Sequence, residues 1–154
     1  MNINCTPTSI FSWNYRLKGG SEPISLQTNW ITEQGSLTIG RQHYEIHKQS
    51  FLSGEWHLLE RDQLIWRAYK PNPFKRRFEL TSSEKKATLA ASGLGRTMVL
   101  DGPNLSLTLS PNHPFTRRAT IQGRGDDLLQ TSFAFWLTVL VWKRAANSAS
   151  AGGS

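Results

Sequence analysis

The sequence predicts a mainly β fold, an antiparallel sandwich or barrel, carrying one buried hydrophobic helix near its C-terminal end. Three observations predict it. Short segments of alternating apolar and polar residues recur at roughly ten-residue spacing between Trp13 and Gly123. Glycine, proline and Asx residues punctuate them. A closing run, 128–142, is apolar around its whole circumference.

The chain has 154 residues, the size of one ordinary domain. Seven Phe, six Trp and three Tyr supply bulky core material, which excludes disorder over most of the length. Residues 1–12 (MNINCTPTSIFS) are polar and interrupted by Pro7, and read as a flexible lead-in. Ten or eleven strands are then expected, from segments at 13–17, 24–30, 36–39, 43–47, 55–60, 64–69, 77–80, 87–91, 97–100, 105–109 and 119–122. The pattern is cleanest where Leu105, Leu107 and Leu109 alternate with Ser106, Thr108 and Ser110. Between strands lie turn signals such as Gly19-Gly20, Arg61-Asp62 and Asp101-Gly102-Pro103. No longer internal repeat is visible.

Asp126-Asp127 precedes the apolar run and Lys143-Arg144 follows it, an order that suits a helix dipole with an aspartate N-cap. A helix is expected over about 126–145. Being apolar on every side, it must be buried in protein or in lipid. Fifteen residues, 128–142, span about 22 Å, whereas a bilayer core of about 30 Å asks for about 20 apolar residues. A core helix is therefore favoured over a short tail anchor. The domain is placed at 13–146, and the small residues of 147–154 read as a flexible tail.

The formal net charge is +7, and it is uneven. Residues 1–66 hold five basic and six acidic side chains, whereas 67–154 hold thirteen and five. Such a half suits phosphate-bearing partners, either anionic lipid or nucleic acid, or else simple solubility. Its densest cluster is Arg67, Lys70, Lys75, Arg76 and Arg77, with no acidic residue inside 67–77. Pro71 and Pro73 make the intervening segment a turn, so these side chains can converge at one rim of the sheet. Convergent Arg and Lys hold phosphate through charge-assisted, often bidentate hydrogen bonds. Arg117 and Arg118 open a later strand and are candidates to join them. The plainer reading of all seven is a solvated strand edge that discourages pairing with another sheet.

Other chemistry finds little footing. One cysteine, Cys5, excludes an intramolecular disulfide and a Cys-rich zinc site. His43 and His47 would share a strand face yet lie about 13 Å apart, too far for one ion, so no metal is expected. No G-x-S-x-G elbow occurs, and Ala91-Ser92-Gly93-Leu94-Gly95-Arg96 lacks the phosphate-loop spacing. Neither an enzyme nor a cofactor is expected. No basic segment followed by an apolar run opens the chain, and a cytoplasmic protein, in part peripheral to the membrane, is the expectation. Aromatics interleaved with basic residues at 66–70 and 74–78 allow a single-stranded nucleic-acid reading. The OB-type barrels that bind single strands this way have five strands and fit poorly, and most of these aromatics are expected to point inward.

Several segments are similar to small bacterial members of the tubby-like C-terminal superfamily, which includes LURP-one-related proteins and phospholipid scramblases. One is Ser53-Gly54-Glu55-Trp56-His57-Leu58-Leu59 with Leu64-Ile65-Trp66-Arg67-Ala68-Tyr69-Lys70-Pro71. Others are Arg77-Phe78-Glu79-Leu80, Ala87-Thr88-Leu89 and Arg96-Thr97-Met98-Val99-Leu100. The closing segment from Leu129 to Ala146 resembles the helix that threads that fold. The resemblance implies a closed antiparallel β-barrel of about ten to twelve strands around a buried hydrophobic C-terminal helix. It further implies phosphoinositide or membrane binding. The scramblase branch's acidic calcium-binding and cysteine-rich segments have no counterpart here. The function expected is thus a non-enzymatic binding or scaffold domain, contacting anionic headgroups or another phosphorylated ligand through the basic rim. The alternatives are a tail-anchored membrane protein using 128–142 and a single-stranded nucleic-acid-binding barrel. The sequence names no protein partner.

Overall fold

In the computed structural model, which describes residues 1–10, 12–114 and 116–152, twelve strands among the described residues close into one antiparallel barrel. They are β1 (Asn2–Pro7), β2 (Tyr15–Lys18), β3 (Ile24–Asn29), β4 (Gln34–Ile39), β5 (Gln42–Lys48) and β6 (Glu55–Glu60). Then follow β7 (Gln63–Tyr69), β8 (Arg77–Thr81), β9 (Lys86–Ala91), β10 (Met98–Gly102), β11 (Leu105–Pro111) and β12 (Ala119–Arg124). Each strand pairs with its chain neighbours, and β1 pairs with β12 to complete the ring. The helix α1 (Leu128–Gly152) fills the bore. The barrel reading is the correct one, and the sandwich is not formed.

Period-two alternation puts one face of every strand inward. In β11, Leu105, Leu107 and Leu109 are buried while Ser106 and Thr108 face solvent. From α1, residues 130–142 are buried without a break. Phe135 meets Tyr15 of β2 edge to face, with ring centroids 5.0 Å apart. Trp136 donates its indole N–H to the Gln27 carbonyl at 3.2 Å. That indole reaches the wall where Gly35 of β4 has no side chain; a Cβ there would lie 2.8 Å from its Nε1. Closure also removes every sheet edge, so the twelve ladders leave no template for foreign strands.

Asp127 is the N-cap, its Oδ1 accepting the Gln130 N–H at 3.0 Å. Among the described residues no helix is long and apolar enough to cross a membrane.

The two ends of the chain differ most from expectation. Residues 2–7 are not a flexible lead-in but β1, with Ile3 and Cys5 buried between β2 and β12. Two apolar residues among asparagines make a faint alternation, and Asn is a poor strand former, so tertiary pairing decides the outcome. Nor does the helix stop near residue 145. It continues through Gly152, so the tail expected at 147–154 is helical as far as that residue, and 153–154 lie outside the described residues.

Burial in the wall pushes the Cys5 thiol well above the ordinary cysteine range, and its side chain is inaccessible. A maleimide at neutral pH is therefore expected to leave native Cys5 unmodified and to label it stoichiometrically in denaturant. Rapid labelling of the folded protein would show that β1 detaches from the barrel.

Candidate functional site

An up-and-down barrel sorts its connections to two ends, and here the ends differ. Five connections of two to five residues (β2–β3, β4–β5, β6–β7, β8–β9 and β10–β11), together with the entry to α1, form one end. The other end has six loops of four to seven residues: 8–14, 30–33, 49–54, 70–76, 92–97 and 112–118. The helix emerges there. Its Trp142 indole donates to the Arg96 carbonyl at 2.7 Å, and Arg144 pairs with Glu33 at 2.6 Å. Long loops on a rigid scaffold are where binding residues concentrate.

Charge follows the same division. The six long loops hold six basic residues, Lys70, Lys75, Arg76, Arg96, Arg117 and Arg118, against one acidic residue, Glu33. The emerging helix adds Lys143 and Arg144. The tight-turn end and helix entry hold three basic residues against five acidic ones. Opposite signs at opposite ends give the molecule a lengthwise dipole.

The seven residues expected at a basic rim play different parts. Six of them converge on the long-loop end: Lys70, Lys75 and Arg76 in one loop, Arg77 at the start of β8, and Arg117 and Arg118 two loops away. Arg67 stands instead on the outer wall of β7, held by Glu55 at 2.6 Å and stacked 5.9 Å from the Tyr69 ring. That contact, with His57 at 2.7 Å, holds the Glu55 carboxyl below its ordinary range. Lys70 is buried, and its ammonium donates to the Asn72 and Pro73 carbonyls at 3.2 and 2.8 Å, closing its own loop. Burial, then the nearby Arg144, lowers its pKa. It is a loop clasp rather than a ligand contact.

Arginine side chains lace neighbouring loops together. Arg76 donates to the carbonyls of Gly93 and Gly95 in the β9–β10 loop. Arg96 of that loop donates to His113 and Pro114 carbonyls of the β11–β12 loop at 3.2 and 3.4 Å. Arg117 covers Trp13 of the β1–β2 loop at 5.0 Å, and Lys143 approaches the same ring at 5.4 Å. Trp13 in turn packs edge to face on Trp30 of the β3–β4 loop. These contacts fix the loops and keep their charge at the rim. The side chains of Lys75, Arg77 and Arg118 are exposed and have no hydrogen-bond or ion-pair partner among the described residues.

Glu33 locks the helix exit. It sits at φ 56°, accepts from Lys48 at 2.7 Å and from Arg144 through both oxygens, and its carbonyl accepts the Trp56 indole N–H at 3.1 Å. Partial burial pushes its pKa up, but the two cations outweigh that and hold the carboxylate below its ordinary range.

Sequence reasoning passed over Arg96, Lys143 and Arg144, which join the rim only through the topology. It also missed an apolar feature. Ile10, Ile31, Phe51, Leu52, Phe74 and Leu94, each at least 80% exposed, all lie in the long loops. The signal that could have found them is large apolar residues inside segments otherwise made of turn formers. The aromatics interleaved with basic residues divide: Trp66 and Phe78 are buried in the lumen, whereas Tyr69 and Phe74 point out.

Among the described residues no group of three or more His, Cys, Asp or Glu side chains is placed to hold a metal ion. His43, His47 and His57 stand on the wall beside Thr38, Glu45 and Glu55 respectively. Comparison of the chain with protein-family models, with curated proteins and with solved structures finds no match in any of the three.

Proposed function

We propose that the protein is a non-enzymatic binding domain that presents its long-loop end to anionic, phosphate-bearing partners, with anionic phospholipid headgroups the favoured ones. One observation carries this reading: the topology gathers the loop cations and the helix's Lys143 and Arg144 at one end, while the opposite end is net acidic. Such a polarised charge orients the molecule toward an anionic surface before contact. Lys75, Arg77 and Arg118 supply the free donors. Arg76, Arg96 and Arg117, already engaged with carbonyls and a ring, preorganise the loops and contribute field. The tubby-like resemblance is part of this reading, supported by a barrel that holds its C-terminal helix inside. A location peripheral to a membrane, on its cytoplasmic side, goes with it, since that leaflet is the anionic one.

The reading is tested with the triple reversal Lys75→Glu, Arg77→Glu, Arg118→Glu. Each cation near an anionic leaflet contributes about 1 kcal/mol, so affinity for phosphatidylserine vesicles is expected to fall roughly a hundredfold. Thermal stability should be unchanged, because these side chains hold nothing else in place. Arg76 is a poor probe, since its loss would unlace two loops. Undiminished vesicle binding by the triple variant would overturn the assignment. Equally tight, steeply salt-dependent binding of oligonucleotides would favour the nucleic-acid alternative.

A further inference from the structure

We infer that the long-loop end is a bilayer-inserting face, in which apolar loop tips enter the headgroup–acyl boundary while the surrounding cations stay at the phosphate level. This rests on the anionic-surface reading above and commits it to a lipid bilayer rather than a soluble phosphorylated molecule.

The placement of apolar side chains carries it. Five of the six long loops each present an exposed large apolar residue: Ile10, Ile31, the pair Phe51-Leu52, Phe74 and Leu94. Phe115, in the sixth, lies outside the described residues. At the other end, the turns 19–23, 40–41, 61–62, 82–85 and 103–104 contain no large apolar residue other than proline. Only two other large apolar side chains are exposed among the described residues, Leu64 and Tyr69, both on the β7 wall. Single exposed hydrophobics are ordinary, but their confinement to the loops of one end is not.

The geometry selects a bilayer over a protein partner. A protein-binding patch places its apolar residues together at a desolvated centre with charges at the rim. Here they stand on separate loops around the emerging helix, and cations flank Ile10, Phe74 and Leu94. In one cleft of about 410 Å³, Ile10 shares the lining with Arg117 and Arg118. Phe74 directly precedes Lys75 and Arg76, and Leu94 lies two residues from Arg96. An interface that is apolar below and phosphate-rich above accepts such pairs at once, the ring or branched chain sinking and the cation remaining with the headgroups. The helix segment 145–152 at the centre of the ring carries no charge and only small residues and one asparagine, so it sets no charged barrier to approach.

The test uses the full chain and vesicles of phosphatidylcholine with and without phosphatidylserine, at low and at high salt. Two proteins are compared: the wild type and the variant Ile31→Ser, Phe51→Ser, Leu52→Ser, Phe74→Ser. An environment-sensitive fluorophore is also placed at Leu94→Cys or, as control, at Ser83→Cys on the opposite end. Wild-type binding that partly survives high salt, at least a tenfold loss in the serine variant, and a blue shift at position 94 but not 83 are the expected results. If the serine variant binds like wild type and the position-94 label stays in water, insertion is overturned while the anionic-surface reading stands. Binding of inositol hexakisphosphate without binding of any vesicle overturns insertion and the headgroup preference together, leaving only a soluble phosphorylated partner for the basic end. Failure of the wild type to bind either one sinks both.

Discussion

Truncation after Gly125 will abolish the native fold. Phe133, Phe135, Trp136, Leu137, Val139, Leu140, Val141 and Trp142 are buried from the helix side, and the inward faces of twelve strands close upon them. Each such side chain contributes about 1.5–3 kcal/mol of burial, so the eight together match or exceed the 5–15 kcal/mol typical of a whole domain. The wall cannot shrink to compensate, because closure fixes the number of strands and their register. The truncated protein should therefore lose its near-ultraviolet circular dichroism and precipitate, while the full chain remains soluble without detergent. A folded, soluble remainder would mean that the helix belongs outside the barrel, as a tail anchor requires.

The substitution Glu33→Gln is expected to destabilise the fold by about 2 kcal/mol, lowering Tm by roughly 4–8 °C. The lost charge strands Lys48, a largely covered ammonium, and removes a doubly bonded partner from Arg144. The pH dependence gives a second readout. A carboxylate held below its ordinary value contributes stability that is fully present above about pH 4.5 and is lost as pH falls through the lower, folded-state pKa. The stability gap between wild type and variant should thus be constant near neutrality and close in acid. A gap that persists unchanged in acid would assign the effect to the altered side-chain hydrogen bonds rather than to charge.

Most of the fold was legible because the wall and the helix advertise themselves in opposite ways. Leu105 to Ser110 alternates in and out, and Phe133 to Trp142 has no polar side at all. The first strand was not legible, since Ile3 and Cys5 alone give too little pattern and its partners lie at β2 and, far along the chain, at β12. The site was half legible. Lys75, Arg76 and Arg77 are neighbours in sequence, so their cluster is visible there. Their approach to Arg96, Arg117 and Arg144 depends on which turns share an end, and only the order of strands in the ring decides that. Whether a cation is free or spent on a neighbour's carbonyl, as Arg76 is on Gly93, is likewise invisible in one dimension.

The ring joins Asn2 to Gln122, and its filling comes from residues still later in the chain. Adjacent strands can zip as hairpins early, but neither the last seam nor the core exists until the segment near Trp142 is available. Contacts this distant in sequence make for slow, all-or-none assembly, on the order of milliseconds to seconds. On a ribosome, the greater part of the wall would emerge with its apolar face bare, waiting for the plug. A protein made in this order is most vulnerable to aggregation just before it is finished, and holding the nascent wall open and apart is the service it would ask of a chaperone.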